Sequence, residues 1–182
     1  MGSLEHQNDL PRQLNLGAGL CPRQDCWNVD LRGEPDLRWD LDDYPYPLPR
    51  NHFEVVYAND VVEHLSSVQR FVEEVHGLLR PGGILEVTTP HFSSANSYTD
   101  PTHRQHLGYF SFDYFTEGHQ WSFYSPVRFE IVKRQIIFGG GYLNRIVAEL
   151  ANRWPKLYEN RWAWIFPSWF LIFQLRAIKP AA

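Results

Sequence analysis

Leu14-Asn15-Leu16-Gly17-Ala18-Gly19, answered at 28–30 by Asn28-Val29-Asp30, is the stretch on which the reading of this chain turns. An apolar strand runs into two glycines one residue apart, and an aspartate closes the next apolar stretch. Glycine lets backbone approach a ligand where a Cβ would collide with it. A carboxylate after the second strand offers two acceptor oxygens to ribose hydroxyls. The pattern therefore suits a nucleoside-bearing ligand at the mouth of a parallel sheet.

The spacing narrows the choice of nucleoside. A dinucleotide fingerprint requires G-x-G-x-x-G, a full helix, and an acid about 20 residues on. Here Leu20, Cys21 and Pro22 follow Gly19, and Asp30 lies 13 positions after Gly17. Between Pro22 and Trp27 there is room for about one helical turn. The helix that would cradle a pyrophosphate is missing or stunted, so the ligand should lack phosphates. S-adenosylmethionine meets that condition.

Working outward, further motifs appear in order: Trp39-Asp40-Leu41, then Phe53-Glu54-Val55-Val56-Tyr57-Ala58-Asn59-Asp60-Val61-Val62-Glu63-His64, then Leu78-Leu79-Arg80-Pro81-Gly82-Gly83. Together with the opening stretch, the chain resembles a small class I S-adenosylmethionine-dependent methyltransferase of the type 11-like group with a shortened first helix. The resemblance covers residues 13–92. It implies that Leu16, Gly17, Ala18 and Gly19 form the cofactor loop and that Asp30 with Leu31 clamps the ribose. It implies further that Asp40 and Leu41 meet the adenine, and that Asn59 and Asp60 face the methionine portion. Asp40 also reads as the start of a turn with Asp42 and Asp43, and Asn59 as a loop residue bonding its own turn.

Composition agrees with an enzyme-sized globular domain. The 182 residues are 43% hydrophobic and 15% aromatic, enough to bury a core. The net charge is −4, with Arg and Lys scattered, which argues against a nucleic-acid partner. Cys21 and Cys26 read as two free thiols of a reducing compartment. Residues 1–13 are polar, unlike a signal peptide, and the aromatic stretch 162–173 is broken by Pro167 and Ser168, too short to span a bilayer. A cytoplasmic protein is expected, with residues 1–12 a disordered leader and 13–182 one domain.

Strands are expected at 14–16, 27–31, 37–41, 53–58, 84–89, 129–138 and 169–179. Helices are expected at 66–79, capped by Ser66 or Ser67, and at 143–154. Strand–helix alternation with short links means an α/β fold, a Rossmann-like open and mostly parallel sheet, with helices on both faces. The resemblance adds an antiparallel C-terminal edge strand. Residues 91–127 hold four histidines and little periodicity and read as a lid or substrate wall. Residues 139–168 read as an insertion before the last strand.

Methyl transfer needs orientation and, for a hydroxyl acceptor, a base. His91, directly after the fifth strand, is the first candidate, because histidine titrates near neutrality. Asp100-Pro101-Thr102-His103-Arg104-Gln105-His106 reads as a helix start, which would put His103 and His106 on one face. His91, His103, Asp100 and His106 are thus the catalytic candidates, and two histidines with an aspartate could also ligate zinc or iron. Asp60-Val61-Val62-Glu63-His64 resembles the acidic-x-x-Glu-His stretch of ubiquinone-pathway O-methyltransferases, where such positions can hold a divalent cation. Glu-His equally occurs here in methyltransferases that need no metal, and the reading without one is preferred.

The expected function is methyl transfer from S-adenosyl-L-methionine to a small-molecule acceptor, a hydroxyl oxygen of a sugar or secondary-metabolite intermediate. The alternatives are a non-catalytic binding or regulatory module, and aminopropyl transfer in the same pocket. The aromatics at 154–170 read as core by default, or else as a homodimer patch, an apolar pocket, or a membrane-surface patch.

Overall fold

Seven strands form one sheet in the order β3-β2-β1-β4-β5-β7-β6. They are β1 (Gln13–Leu16), β2 (Trp27–Asp30), β3 (Leu37–Arg38), β4 (Phe53–Asn59), β5 (Leu79–Pro90), β6 (Arg128–Ile137) and β7 (Phe170–Ile178). The computed structural model describes residues 10–179. Strands β1 to β5 are mutually parallel, and β7 runs antiparallel to both of its neighbours. The last strand is therefore not at the margin: it lies between β5 and β6, and β6 is the edge.

The central strands carry their fully buried apolar side chains on one covered face, while Asn15, Tyr57 and Glu86 lie in register on the other. Leu14, Leu16, Phe53, Val56, Ala58, Leu85 and Val87 are fully buried. Helix α1 (Val68–Leu78) is one such cover. Its start is set by Ser67, whose hydroxyl accepts from the Arg70 amide at 3.2 Å, and it buries Phe71, Val72, Val75 and Leu78. Truncating Phe71 to alanine here would cost about 3–5 kcal/mol. The strand after it begins earlier than its apolar run indicates. Leu79 already pairs with Phe53, and a bulge between Phe53 and Val55 absorbs Arg80–Gly83.

The link from β1 to β2 contains no helix. Two turns close it, Cys21 N to Ala18 O at 2.9 Å and Cys26 N to Arg23 O at 3.3 Å, and Asn28 Oδ1 accepts from Arg23 N at 2.8 Å. Both cysteines are free, Cys21 exposed and Cys26 buried. Residues 1–9 of the expected leader lie outside the described residues, while residues 10–12 are tied to β4: Arg12 O accepts from Glu54 N, and His52 bonds Leu10 O.

Residues 91–127 are not a detached lid. Leu107, Tyr109, Phe112 and Phe115 are buried, and Phe112 meets Phe173 edge-on at 4.7 Å. The segment opens with a short helix, α2 (Asn96–Thr99), and no helix follows at 100–106. There the chain is drawn out against the loop after β4, since the amides of Arg104 and Gln105 both donate to Glu63 O. That pairing outcompetes the helix that Asp100-Pro101 would start.

The insertion between β6 and β7 holds helix α3 (Tyr142–Arg153) and a tight π-helical turn at Tyr158–Trp162. Asn152 bonds both the amide and the carbonyl of Ile136, fastening α3 to β6 as a strand would. Of the aromatics here Tyr158 is core, whereas Trp154, Trp162, Trp164, Phe166 and Trp169 are all exposed. Among the described residues no helix is long and apolar enough to cross a membrane.

Candidate active site

Strands β1, β2 and β4 all end at the same margin of the sheet, and a cleft of about 820 Å³ opens there. Its floor is the first glycine turn. Gly17 and Gly19 adopt φ of 72° and 53°, and the amides of Gly17 and Ala18 both donate to Val29 O. A Cβ on Gly17 would lie 2.1 Å from Val61 Cγ2, so only glycine fits below the cleft. A Cβ on Gly19 would meet nothing within 4 Å; the space it would enter is the cleft itself.

Asp30 ends β2 and is fixed by two amides. Oδ2 accepts from Gly19 N at 2.8 Å and Oδ1 from Arg32 N at 2.7 Å. Each oxygen keeps a further lone pair for a ligand. Asp40 lines the cleft and also caps a turn, accepting from Asp42 N at 2.9 Å. Leu31, Leu41 and Asp60 also line the cleft, and Asp60 takes a left-handed φ of 53° as the chain leaves β4. Leu16 and Ala18 lie buried beneath the loop. Asn59 is turned to β5, where its Oδ1 accepts from the Thr88 hydroxyl at 2.9 Å.

Five carboxylates face this cleft: Asp30, Asp40, Asp42, Asp60 and Asp100. Of its two guanidinium groups, that of Arg104 is already paired with Asp42 at 3.1 Å. The resulting field repels a pyrophosphate and attracts a cation. A nucleoside bearing a sulfonium and an ammonium group, as S-adenosylmethionine does, fits this donor set and the glycine floor.

The far wall carries the histidine chemistry. Asp100 folds an Asx turn, accepting the amide of Thr102 at 2.8 Å and its hydroxyl at 2.7 Å. These bonds hold its carboxyl below the usual range. Thr102 Oγ1 has one proton and gives it to Asp100, so His64 Nδ1, 2.9 Å away, must be the donor to Thr102. His64 therefore holds its proton on Nδ1 and a lone pair on Nε2. Burial, then the neighbouring His103 ring, lower the His64 pKa, which keeps it neutral near pH 7.

The remaining candidates are dispersed. His103 packs edge-on against His64 at 4.6 Å and bonds Ser97 O, while His106 stacks on Tyr98 and bonds Ser97 Oγ. Without the helix at 100–106 they share no face. His91 is 0% exposed and does not line the cleft. Its Nδ1 is 2.8 Å from Ser93 Oγ and its Nε2 is 3.2 Å from Glu159 Oε1, so it locks the end of β5 to the insertion. His64, Thr102 and Arg104 are the cleft residues that pattern reading assigned no catalytic role. The signal for them was the adjacency of His64 to a loop that only the tertiary fold brings against Asp100-Pro101-Thr102.

Glu63, next to His64, is 1% exposed. One carboxyl oxygen accepts from Thr89 Oγ1 at 3.0 Å and the other has no partner. Burial pushes its pKa up to about 7. Ligand atoms of Glu63, His64 and His103 lie within 4.8 Å of one another. The closest potential metal set thus includes His103 in place of Asp60. Methyl transfer from a sulfonium does not itself need such an ion.

A family model described as a methyltransferase domain matches residues 28–87. No curated protein matches the chain in sequence. Among solved structures, an S-adenosylmethionine-dependent methyltransferase from Archaeoglobus fulgidus is similar at a TM-score of 0.58 and 17% identity, over 94% of this chain and 88% of that one. Another from Mesorhizobium loti is similar at 0.52 and 19%, over 91% and 90%. Phosphoethanolamine N-methyltransferase 2 from Haemonchus contortus, solved with S-adenosyl-L-methionine, is similar at 0.54 and 14%, over 94% of this chain and 49% of that one.

Proposed function

We propose that this chain is a class I S-adenosylmethionine-dependent methyltransferase and that it methylates a hydroxyl oxygen of a small-molecule acceptor such as a sugar or secondary-metabolite intermediate; the matched methyltransferase domain and the fold support the first part. The observation that carries the proposal is the Asp100–Thr102–His64 relay on the wall of the cleft. A hydroxyl is a poor nucleophile until its proton is removed, and a positioned base contributes about 10²–10⁴-fold.

When bound, S-adenosylmethionine supplies a methyl group already activated on a sulfonium sulfur. The Gly17–Gly19 turn and Asp30 hold the nucleoside, Asp40 with Leu41 flanks the adenine, and Asp60 lies toward the methionine end. His64 Nε2 takes the acceptor's proton. Thr102 and Asp100 fix the tautomer of His64 and stabilise the imidazolium that forms. His103 is a positioning residue through its ring contact with His64; His91 and His106 stay outside the chemistry.

One other reading has an observation in its favour. Five carboxylates around the cleft would also suit a polyamine, as aminopropyl transfer requires. The two readings separate by experiment. Protein is titrated calorimetrically with S-adenosylmethionine and S-adenosylhomocysteine, then incubated with methyl-labelled cofactor and a panel of sugar, phenol and polyamine acceptors, with and without divalent metal. Micromolar cofactor binding with label on a hydroxyl is the expected result. Label on no acceptor, with polyamine elongation from the decarboxylated cofactor, would reverse the assignment.

A further inference from the structure

Helix α3 leaves much of its apolar surface uncovered. It docks through Val147, Ala151 and Asn152, the last bonding the Ile136 backbone. Its apolar stripe of Leu143, Ile146 and Leu150, at i, i+3 and i+7, is exposed, and only Ala151 of the helix is buried. An amphipathic helix ordinarily does the opposite. The stripe continues into Trp154, Leu157 and Trp162, which with Phe166 wall an apolar groove of about 360 Å³. Trp164 adds an indole that is 67% exposed. A contiguous apolar surface of this kind marks an interaction site.

Cations border it. A second groove of about 530 Å³ shares Trp154 and Leu157 with the first and adds Arg153, Lys156 and Arg161. All three are exposed, and none makes an ion pair among the described residues. Residues 142–169 carry four cations and two acids, while the chain as a whole stands at −4. Of the two acids, Glu159 points inward to His91, and Glu149 is exposed beside Lys133 and Arg134 of β6. The outward face is therefore apolar, rich in tryptophan, and positive.

We propose that the outward face of residues 142–169 docks on the surface of an anionic lipid bilayer. Tryptophan suits the interface, where one side of the ring system is apolar and the other wet. Arg and Lys beside it complement acidic headgroups. A second copy of the chain is a poorer occupant, because a two-fold interface sets the same patch against itself and would oppose like charges. The location gives the contact a use. Phe170, just after the insertion, pairs with Pro90 at the end of β5, so the face sits at the end of the sheet where the cofactor cleft opens.

The test is co-sedimentation of the full chain with phosphatidylcholine vesicles, with and without phosphatidylglycerol, at low and high salt. Binding to the anionic vesicles alone is expected, with a blue shift of tryptophan emission and weakening by salt. The triple variant Arg153→Glu, Lys156→Glu, Arg161→Glu should partition at least about 100-fold less. The double variant Trp162→Ala, Trp164→Ala should lose about 10-fold or more. Calorimetric binding of S-adenosylhomocysteine, unchanged in both, shows that they fold and keeps this test separate from that of the methyltransferase reading. Absence of partition, equal partition onto neutral vesicles, or a dimer in sedimentation velocity that the tryptophan variant abolishes would each overturn the proposal.

Discussion

Residues 13–90 and residues 91–169 use the same kinds of side chain to opposite ends. In the first stretch, aliphatic residues are buried along one face of β1, β4 and β5, and the polar groups at the strand ends shape the cleft. In the second, large aromatics are divided between the sheet and solvent: Phe112 and Phe115 pack inward, while Trp154, Trp162 and Trp164 do not. The first stretch builds the floor of the cleft by backbone geometry, with Gly17 and Gly19 at positive φ. The second contributes Asp100 and Thr102 to the cleft from a loop whose path is set by pairing with Glu63 O. Substitutions in the two stretches should therefore fail differently, in affinity for the cofactor on one side and in turnover on the other.

The largest effect should come where the two stretches meet. His64→Ala removes the base and should lower methyl transfer by about 10²–10⁴-fold. Affinity for S-adenosylhomocysteine should hold within about twofold, because the glycine floor and Asp30 are untouched. A matching loss in both, by calorimetry and by labelled methyl transfer, would place His64 in the cofactor site instead. In the wild type, activity should fall as pH drops below the ordinary histidine range, since a base with a lowered pKa stays neutral until then. Asp30→Ala tests the other side. It removes a carboxylate that bonds two loop amides and faces the ligand, and charged hydrogen bonds are worth about 1.5–3 kcal/mol each. Calorimetry should show cofactor affinity about 10–100-fold weaker, and unchanged affinity would dissolve the site assignment.

This asymmetry also explains what could be read from the chain alone. Strand positions and the Gly17–Gly19, Asp30 and Asp40 placements depend on local periodicity and on the margin of a parallel sheet, and both are written in short stretches. Asp100-Pro101 carries a sound local signal for a helix, and Asp100 does accept the Thr102 amide. The helix is lost to a pairing of Arg104 and Gln105 with Glu63, 41 and 42 positions away, which no local rule contains. The same long-range pairing hides the relay, because Thr102 becomes a partner of His64 only once the two loops meet. The tryptophans misled for a different reason: aromatic content signals burial on average, and here they continue an apolar stripe of α3 that nothing among the described residues covers.

His91 is where the second stretch can be probed for structure without chemistry. It is fully buried between Ser93 and Glu159. His91→Ala leaves a cavity and a carboxylate without its partner, costing about 2–4 kcal/mol. For a chain of this size that lowers the melting temperature by about 5–15 °C. Turnover per folded molecule should be unchanged, whereas a selective loss of kcat with the melting point intact would return His91 to the chemistry.

The smallest effect is the most diagnostic of the cleft's interior. Glu63 stands at about 7 in the folded chain against an ordinary 4.5. Between those values the unfolded chain gives up this proton while the native chain keeps it, so the native state binds more protons and stability falls as pH rises. The loss is complete above pH 7 and is bounded at about 3 kcal/mol. Glu63→Gln has no such proton, and its amide still spans to Thr89. Melting curves of the metal-stripped proteins should coincide near pH 4.5 and separate as pH rises, the variant ending up to about 10 °C higher. Curves that run parallel across the whole range would mean that Glu63 is already ionised in the fold.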